Sequence, residues 1–426
     1  MKLGFVLKNT GISATRYYFA RLQEALWFRP LLSCLLSIAA ALLAMLVEQI
    51  ELSQSLPDIS TASIEKLLTT IASSMLAIAV FAVGSMISAY ASASSSATPR
   101  SFSLVVSDDV SQNALSTFIG AFIFSIVALV VLLNDFYTRA GRFVLFLLTI
   151  IVFAMVILSF VRWVDRIARL GRLGNTIDKV ENATASAMTR HINNSNQGII
   201  RPEGSMEAIN ANHVGYVQHI DIAKLQCLAE TLKVRFTVEM LPGSLSAPNS
   251  PLVLMSGHCD LDRDDLQQKV AAAFVIGRQR TFESDPRFGL VVLSQIASRA
   301  LSPAVNDEGT AIDILSTCLR LFTRYQQQTQ ENSQQMLYDR ISIPPLNIND
   351  MFDDAFNAIA RDGAYSIMVA LRHQKSLHTL AMLGDAALRD AAQKHAKLAL
   401  LHAKKQLKLA IEIDQVTALY HQNFGE

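Results

Sequence analysis

Three groups of residues in this sequence have types and spacings that could do chemistry. The first is a row of hydroxyls, Ser85, Ser88, Ser92 and Ser95, inside an apolar helical pattern. Steps of three and four put them on one helix face. In a bilayer such a face must meet protein or water. Two readings fit: a hydrated pore lining, or close helix packing through small residues, since Ala79, Ala82, Gly84 and Ala89 share the stretch. The row runs into a Ser-rich break with adjacent acids, Asp108 and Asp109, which at a pore mouth would concentrate cations. Ser116, Gly120 and Ser125 offer a matching small-residue face on the next apolar helix.

The second group is GRQRTFESDPRFG, Gly277 to Gly289, where Arg278, Arg280 and Arg287 surround Glu283 and Asp285. Planar guanidinium groups beside a helix N-terminus suit a small phosphate or carboxylate ligand. The other reading is an internal salt-bridge cluster that fixes the loop. The third group is SRALSPAVNDEGTAID, which brings Arg299, Ser302, Asn306, Asp307 and Glu308 to a helix–loop–helix corner. Asn306 and Asp307 suit helix caps, and with the arginine loop they form the candidate ligand site. No metal or cofactor is expected, because neither EF-hand nor zinc spacing occurs. His258-Cys259-Asp260 has the content of a triad, but adjacent residues cannot form a relay whose members converge from separate places. Walker A, G-x-S-x-G, HExxH and Rossmann patterns are absent, so an enzyme is not the expected class.

The elements that hold these groups belong to a membrane protein with a large soluble part. Of 426 residues, 51% are hydrophobic and 17% charged, against roughly a quarter charged in a soluble domain. The deficit falls in the first third. A net charge of +1 leaves no basic footprint for nucleic acid. Four scattered cysteines, Cys34, Cys227, Cys259 and Cys318, fit reduced thiols.

Apolar runs at about 27–47, 67–90, 114–133 and 143–163 predict four spans. Trp27 and Phe28 suit the membrane interface. Lys2, Lys8, Arg16, Arg21 and Arg29 precede the first span, with no apolar core close enough for a cleaved signal peptide. Arg162, Arg166, Arg169, Arg172 and Lys179 mark the end of the fourth. The loop after the first span is acidic. Arg139 and Arg142 run against the trend but are outnumbered. Both termini and the Ser-rich corner are therefore expected in the cytosol of a bacterial inner membrane.

An apolar stripe, Val164, Ile167, Leu170, Leu173, Ile177 and Val180, predicts a juxtamembrane helix that closes the membrane domain at residue 184, with a bend at Gly171 and Gly174. NATASAMTRHINNSNQG then reads as a linker. Residues 199–260 read as three or four short strands, with one or two helical turns at Leu225 to Thr231: a small β-barrel or sandwich module. Residues 261–426 read as helical. One helix runs from Asp262 through Phe274 to Gly277, and another starts at Asp285-Pro286. The fold class is thus a four-span α-helical membrane domain followed by a cytosolic α+β domain.

TPRSFSLVVSDDVSQNALSTFIGAFIFSIVAL, GYVQHID, GRQRTFESDPRFGL and RALSPAVNDEGTA together resemble an uncharacterised family of predicted bacterial membrane proteins, a domain of unknown function. The resemblance covers nearly the whole chain. It implies an inner-membrane protein with four N-terminal spans and a cytosolic C-terminal domain, and no activity.

Two functions follow as expectations. One is an oligomeric channel, with the second and third spans around a pore and the soluble domain as vestibule. No intramembrane charge supports it. The other is a membrane-tethered sensor or scaffold binding a small anion or a protein. The expected partners are the bilayer, further copies of the chain, and an ion or small anion. Reporters fused after Ser60, after Asn196 and at Glu426 test the topology. The first should be exported and the others cytosolic; the reverse at any position overturns the four-span arrangement.

Overall fold

The computed structural model describes residues 27–46, 57, 59–106, 108–169, 172–195, 206–331, 338–384 and 386–425. They form two compact units, one ending at Thr176 and the other running from Ile177. Residues 1–26, with the basic cluster Lys2 to Arg21, lie outside the described residues.

The first unit is helical: α1 (Phe28–Leu46), α2 (Thr61–Ser96), a single 3₁₀ turn (Pro99–Ser101), α3 (Phe102–Val106), α4 (Asp109–Leu133) and α5 (Arg139–Arg169). Helices α2, α4 and α5 are long and apolar enough to cross a membrane, whereas the apolar part of α1, Phe28–Ala44, is shorter. Three candidate spans therefore stand where four were expected. Helix α4 sits centrally and packs on α1, α2 and α5. Phe118 and Phe124 of α4 and Trp163 of α5 are among the unit's largest buried side chains. Gly120 lies against Ser33 and Ser37 of α1, where no Cβ would fit. This part of the small-residue face of α4 therefore meets α1 and not the hydroxyl row of α2. Such close backbone approach is how helices associate without a hydrophobic driving force.

The second unit begins on α6 (Leu173–Asn194). The segment from Asn182 was expected to be a linker; it continues the helix instead. Small polar residues read as loop, yet Ala185, Ala187 and Met188 are buried at helical spacing. Glu181 of α6 pairs with Arg320 through two bonds of 2.8 and 2.5 Å, and Thr189 bonds Gln328 at 2.9 Å. Residues 196–198, the end of that expected linker, and 199–205, the expected start of the β module, lie outside the described residues.

Strands β1 (Glu207–Asn210), β2 (Gly215–Ile220), β3 (Arg235–Val238), β4 (Leu245–Ser246), β5 (Pro251–Ser256), β6 (Phe274–Gly277) and β7 (Ile341–Ser342) make two sheets. Their orders are β1-β5-β3-β7 and β4-β2-β6. All pairs are antiparallel except β3 with β7. No barrel closes among the described residues. Two strands come from beyond residue 260, where only helix was expected. Helix α8 (Arg263–Ala271) stops short, and Phe274 to Gly277 pair with β2. A short apolar run has no decisive periodicity, and the β-branched Val275 and Ile276 favour the sheet. Helix α7 (Ile222–Leu232), capped by Asp221, is longer than the turns expected there. Val217, Leu225, Phe236, Val253, Val270 and Ile341 are in the module's core.

The helical part comprises α9 (Phe288–Ala300), α10 (Glu308–Glu331), α11 (Ile348–Asp362), α12 (Ile367–Ala381), α13 (Ala386–Gln406) and α14 (Ala410–Phe424). Its centre is aromatic: Phe322 and Phe352 centroids are 4.7 Å apart, and Phe352 and Phe356 5.2 Å.

Gly289 of α9 lies so close to Thr184 of α6 that a Cβ would collide with its side chain. Gly289→Ala should destabilise the second unit by about 1–3 kcal/mol, the usual cost of overpacking. Adding Thr184→Gly should restore most of the loss. Thermal unfolding of the two variants checks this; an unshifted midpoint for Gly289→Ala would remove the crossing as a constraint.

Candidate functional site

The arginine loop is held from inside. Asp285 has a buried carboxylate that accepts from Arg280 Nε at 2.6 Å and Nη2 at 3.0 Å. It also accepts from the backbone N–H groups of Arg287 and Phe288, both at 3.0 Å. Asp285 therefore holds the turn that leads into α9, which starts at Phe288 with Arg287 at its N-cap, two residues later than the expected start at Asp285-Pro286. The Arg280 guanidinium lies 5.3 Å from the Phe288 ring centroid. Arg287 is bonded to Asp354 and Asp350, each at 2.6 Å. Two of the three arginines are thus committed to carboxylates. Arg278 is exposed and makes no side-chain bond among the described residues.

The corner after α9 is also self-contained. Asn306 adopts φ +50°, and its side chain accepts from the Tyr365 hydroxyl at 3.2 Å. That hydroxyl also donates to the Leu301 carbonyl at 3.0 Å. Asp307 accepts from the N–H and hydroxyl of Thr310, at 3.0 and 2.6 Å, which hold its carboxyl below the usual range. Arg299 is exposed and Ser302 half-buried. Among the described residues no hydrogen bond or ion pair joins this corner to Arg280 or Asp285.

In the membrane unit Asp108 is buried. It caps α4 through Ser111 and pairs with Arg166 of α5 at 2.5 and 2.9 Å. Asp109 pairs with Arg29 at 2.5 Å. The row Ser88, Ser92 and Ser95 is exposed on the single chain, with Ser85 half-buried. Ser85 and Ser95 donate to the carbonyls of Phe81 and Ser92, each at 2.9 Å. Exposed Phe81 stands one turn from Ser85 on the same face.

Sequence reasoning missed a groove in the helical part. A groove of about 440 Å³ opens between α9, α11 and α13. Ser294 and Gln295 line it from α9, Asp353, Asp354, Asn357 and Arg361 from α11, and His402 from α13. Gln295 Oε1 and Asn357 Oδ1 are buried with no hydrogen-bond partner. The signal was the polar face of α11, residues 353, 357 and 361 at steps of four; nothing in sequence joins it to Gln295 or His402.

Other polar contacts lie outside this groove. His219 Nδ1 lies 3.1 Å from Ser284 Oγ, a nucleophile–base pair in content only. His258 and Asp260 pair at 3.2 Å, both fully exposed, and Cys259 does not join them. No cluster of metal-ligating side chains occurs among the described residues.

These features define a helical membrane protein with a mixed α/β second unit. The chain belongs to the family described as "Predicted membrane protein (DUF2254)", whose profile matches residues 23–379. It is similar to uncharacterised proteins of Mycobacterium bovis and Mycobacterium tuberculosis, 31% identical over 121 residues. The match takes in 27% of this chain and 22% of each relative, so the chain spans under a quarter of their length. No solved structure matches.

Three histidines of the second unit, His191, His373 and His395, are buried, and His219 is half-buried. Desolvation pushes His373 down to about 3 and His191 to about 4, and lowers His219 and His395. His373 and His395 lie 5.5 Å from the rings of Phe356 and Phe352. Below pH about 6.5 the unfolded chain takes up protons that the folded chain refuses. Stability is therefore full above that pH and falls by about 1.4 kcal/mol per pH unit for each of His373 and His191 until their folded values are reached, with His219 and His395 acting in the same direction. The unfolding midpoint should drop between pH 7.5 and 5.5, and His373→Gln should flatten the drop. A pH-independent midpoint would contradict it.

Proposed function

We propose that this chain is a membrane-tethered binding protein, a sensor or scaffold, whose second unit carries the ligand site. One observation carries the choice: the acids that a cation-conducting mouth would need are already neutralised. Asp108 is buried against Arg166, and Asp109 is paired with Arg29. A buried, paired carboxylate holds helices together and does not raise the local cation concentration. The groove in the second unit supports the binding role, being of ordinary ligand-pocket size. The anion-binding reading of the arginine loop loses support, since Arg280 and Arg287 are occupied. On this reading the groove faces the cytosol, and the chain sits in the inner membrane with both termini inside, as the basic clusters imply.

A second reading, an oligomeric channel, keeps one observation in its favour. Ser88, Ser92 and Ser95 are uncovered on the single chain. In lipid such a face is better covered by another copy or by water. The hydroxyls of Ser85 and Ser95 are satisfied by their own helix, which lets them pack without water.

Purified protein in planar bilayers separates the two. The tethered-sensor reading expects no unitary conductance across voltage and membrane tension. Reproducible conductance that Ser88→Leu abolishes, with assembly intact, would overturn it in favour of the channel.

A further inference from the structure

Helix α13 and the turn after it carry a charge pattern that the groove does not use. From residue 386 to 411 the basic residues are Arg389, Lys394, Lys397, Lys404, Lys405 and Lys408, and Asp390 is the one acid. The chain as a whole is +1, so this excess is local. The helix sorts these residues by face. Leu388, Ala392, His395, Ala399 and Ala403 are buried on one side. Lys394, Lys397, Leu401, Lys404 and Lys405 follow at steps of three and four on the other side and are exposed. Lys408 is exposed in the turn that follows. Among the described residues Lys394, Lys404, Lys405 and Lys408 form no ion pair.

Neighbouring acids do not neutralise this face. Asp390 stands one turn before Lys394. Helix α12 packs beside α13, contains no acid, and adds the exposed Arg372 and Lys375. Asp353 and Asp354 of α11 lie toward the groove, where α13 contributes Leu398 and His402 and none of the lysines. In α14, Glu412 is half-buried and Asp414 exposed.

Large apolar side chains accompany the lysines. Leu401, on the stripe, is 59% exposed, and Leu409 and Ile411, just past its end, are 58% and 66% exposed. A face that only confers solubility mixes charges of both signs and exposes few leucines. The helix C-terminus accounts for Lys404 and Lys405 in the last turn, but not for Lys394 or the apolar residues. Lysines interleaved with apolar side chains match an anionic bilayer surface. The ammonium groups meet headgroup phosphates while the apolar groups enter the acyl boundary. A nucleic acid would satisfy the charges and leave Leu401, Leu409 and Ile411 in water.

We propose that the lysine face of α13, with Leu401, Leu409 and Ile411, docks on a bilayer surface rich in anionic phospholipid. The candidate spans of the same chain keep the second unit within reach of a bilayer, so a weak attraction suffices. The docked fraction follows the anionic content of the membrane. This surface is separate from the groove, and the proposal holds whatever the groove binds.

The experiment uses the full chain in nanodiscs of phosphatidylcholine, alone or mixed with phosphatidylglycerol. Both leaflets have one composition, so the outcome does not depend on orientation. Acetylation of amines, read by mass spectrometry, reports each lysine. Lys394, Lys397, Lys404, Lys405 and Lys408 should be protected several-fold in the anionic discs, and molar salt should remove the protection. Lys269, exposed on α8, should react alike in both. Each lysine near an anionic surface contributes a factor of about five. Lys404→Gln combined with Lys405→Gln should therefore weaken docking about 25-fold and leave Lys394 and Lys397 reactive. Leu409→Trp should give an emission increment over the parent that shifts to the blue in anionic discs alone. Equal reactivity in the two discs, or an unshifted increment, overturns the proposal. Protection that survives the double lysine variant overturns it too, since the lysines are then covered by protein. Protection by an oligonucleotide in neutral discs, with none from phosphatidylglycerol, assigns the face to nucleic acid and overturns it. Unitary conductance, which would overturn the tethered-sensor reading, leaves this docking untouched.

Discussion

A buried carboxylate at Asp285 organises the second unit. Removing a carboxylate from water is costly unless its lone pairs are filled. Here four donors fill them: two from Arg280 and two from the first turn of α9. The helix N-terminus adds its partial positive charge. With that turn fixed, Arg287 reaches across to Asp350 and Asp354 on α11. The turn at Gly243, with φ +95°, approaches the same carboxylate so closely that a Cβ could not be placed there. One acid thus joins the sheet module, α9 and, through the next arginine, α11. Deleting one partner of such a pair costs about 3–5 kcal/mol, because the other is left charged and buried. The groove exists because this chain of charges sets how α9 and α11 are held.

The membrane unit uses the same device. Asp108 fills its lone pairs from Ser111 and Arg166 and so locks the start of α4 to α5. Both acids were the most conspicuous functional candidates in the sequence, and both are structural in kind. Paired charge in a sparse apolar chain draws attention as a site, yet a single buried carboxylate with complete hydrogen bonding is equally a way to fix an irregular corner. The groove residues Asp353, Asn357 and Gln295 are by contrast inconspicuous in sequence.

The legible parts were those with strong periodicity. Helices α2, α4 and α5 follow from long apolar runs, although they extend beyond the expected spans. Asp262 was readable as a cap because Asp before a helix has a local meaning. Strands β6 and β7 were not readable. They are four and two residues long and exist only because β2 and β3 offer partners. Helix α6 was hidden by composition: its buried face is alanine and methionine beneath Thr, Asn and Ser. The groove was hidden by distance along the chain, since Gln295, Asn357 and His402 come from three helices.

Helix α6 also changes what tethering means for this protein. It begins at Leu173, soon after α5 ends at Arg169, and its first residues belong to the membrane unit. Its remainder is bound into the second unit by the Glu181–Arg320 pair, the Thr189–Gln328 bond and the close crossing at Gly289. A polar linker of the expected kind would let the soluble part diffuse freely and would transmit nothing. A 22-residue helix with three such attachments moves as a rod. The α9 that meets α6 at Gly289 is the same helix that lines the groove, so both features belong to the second unit.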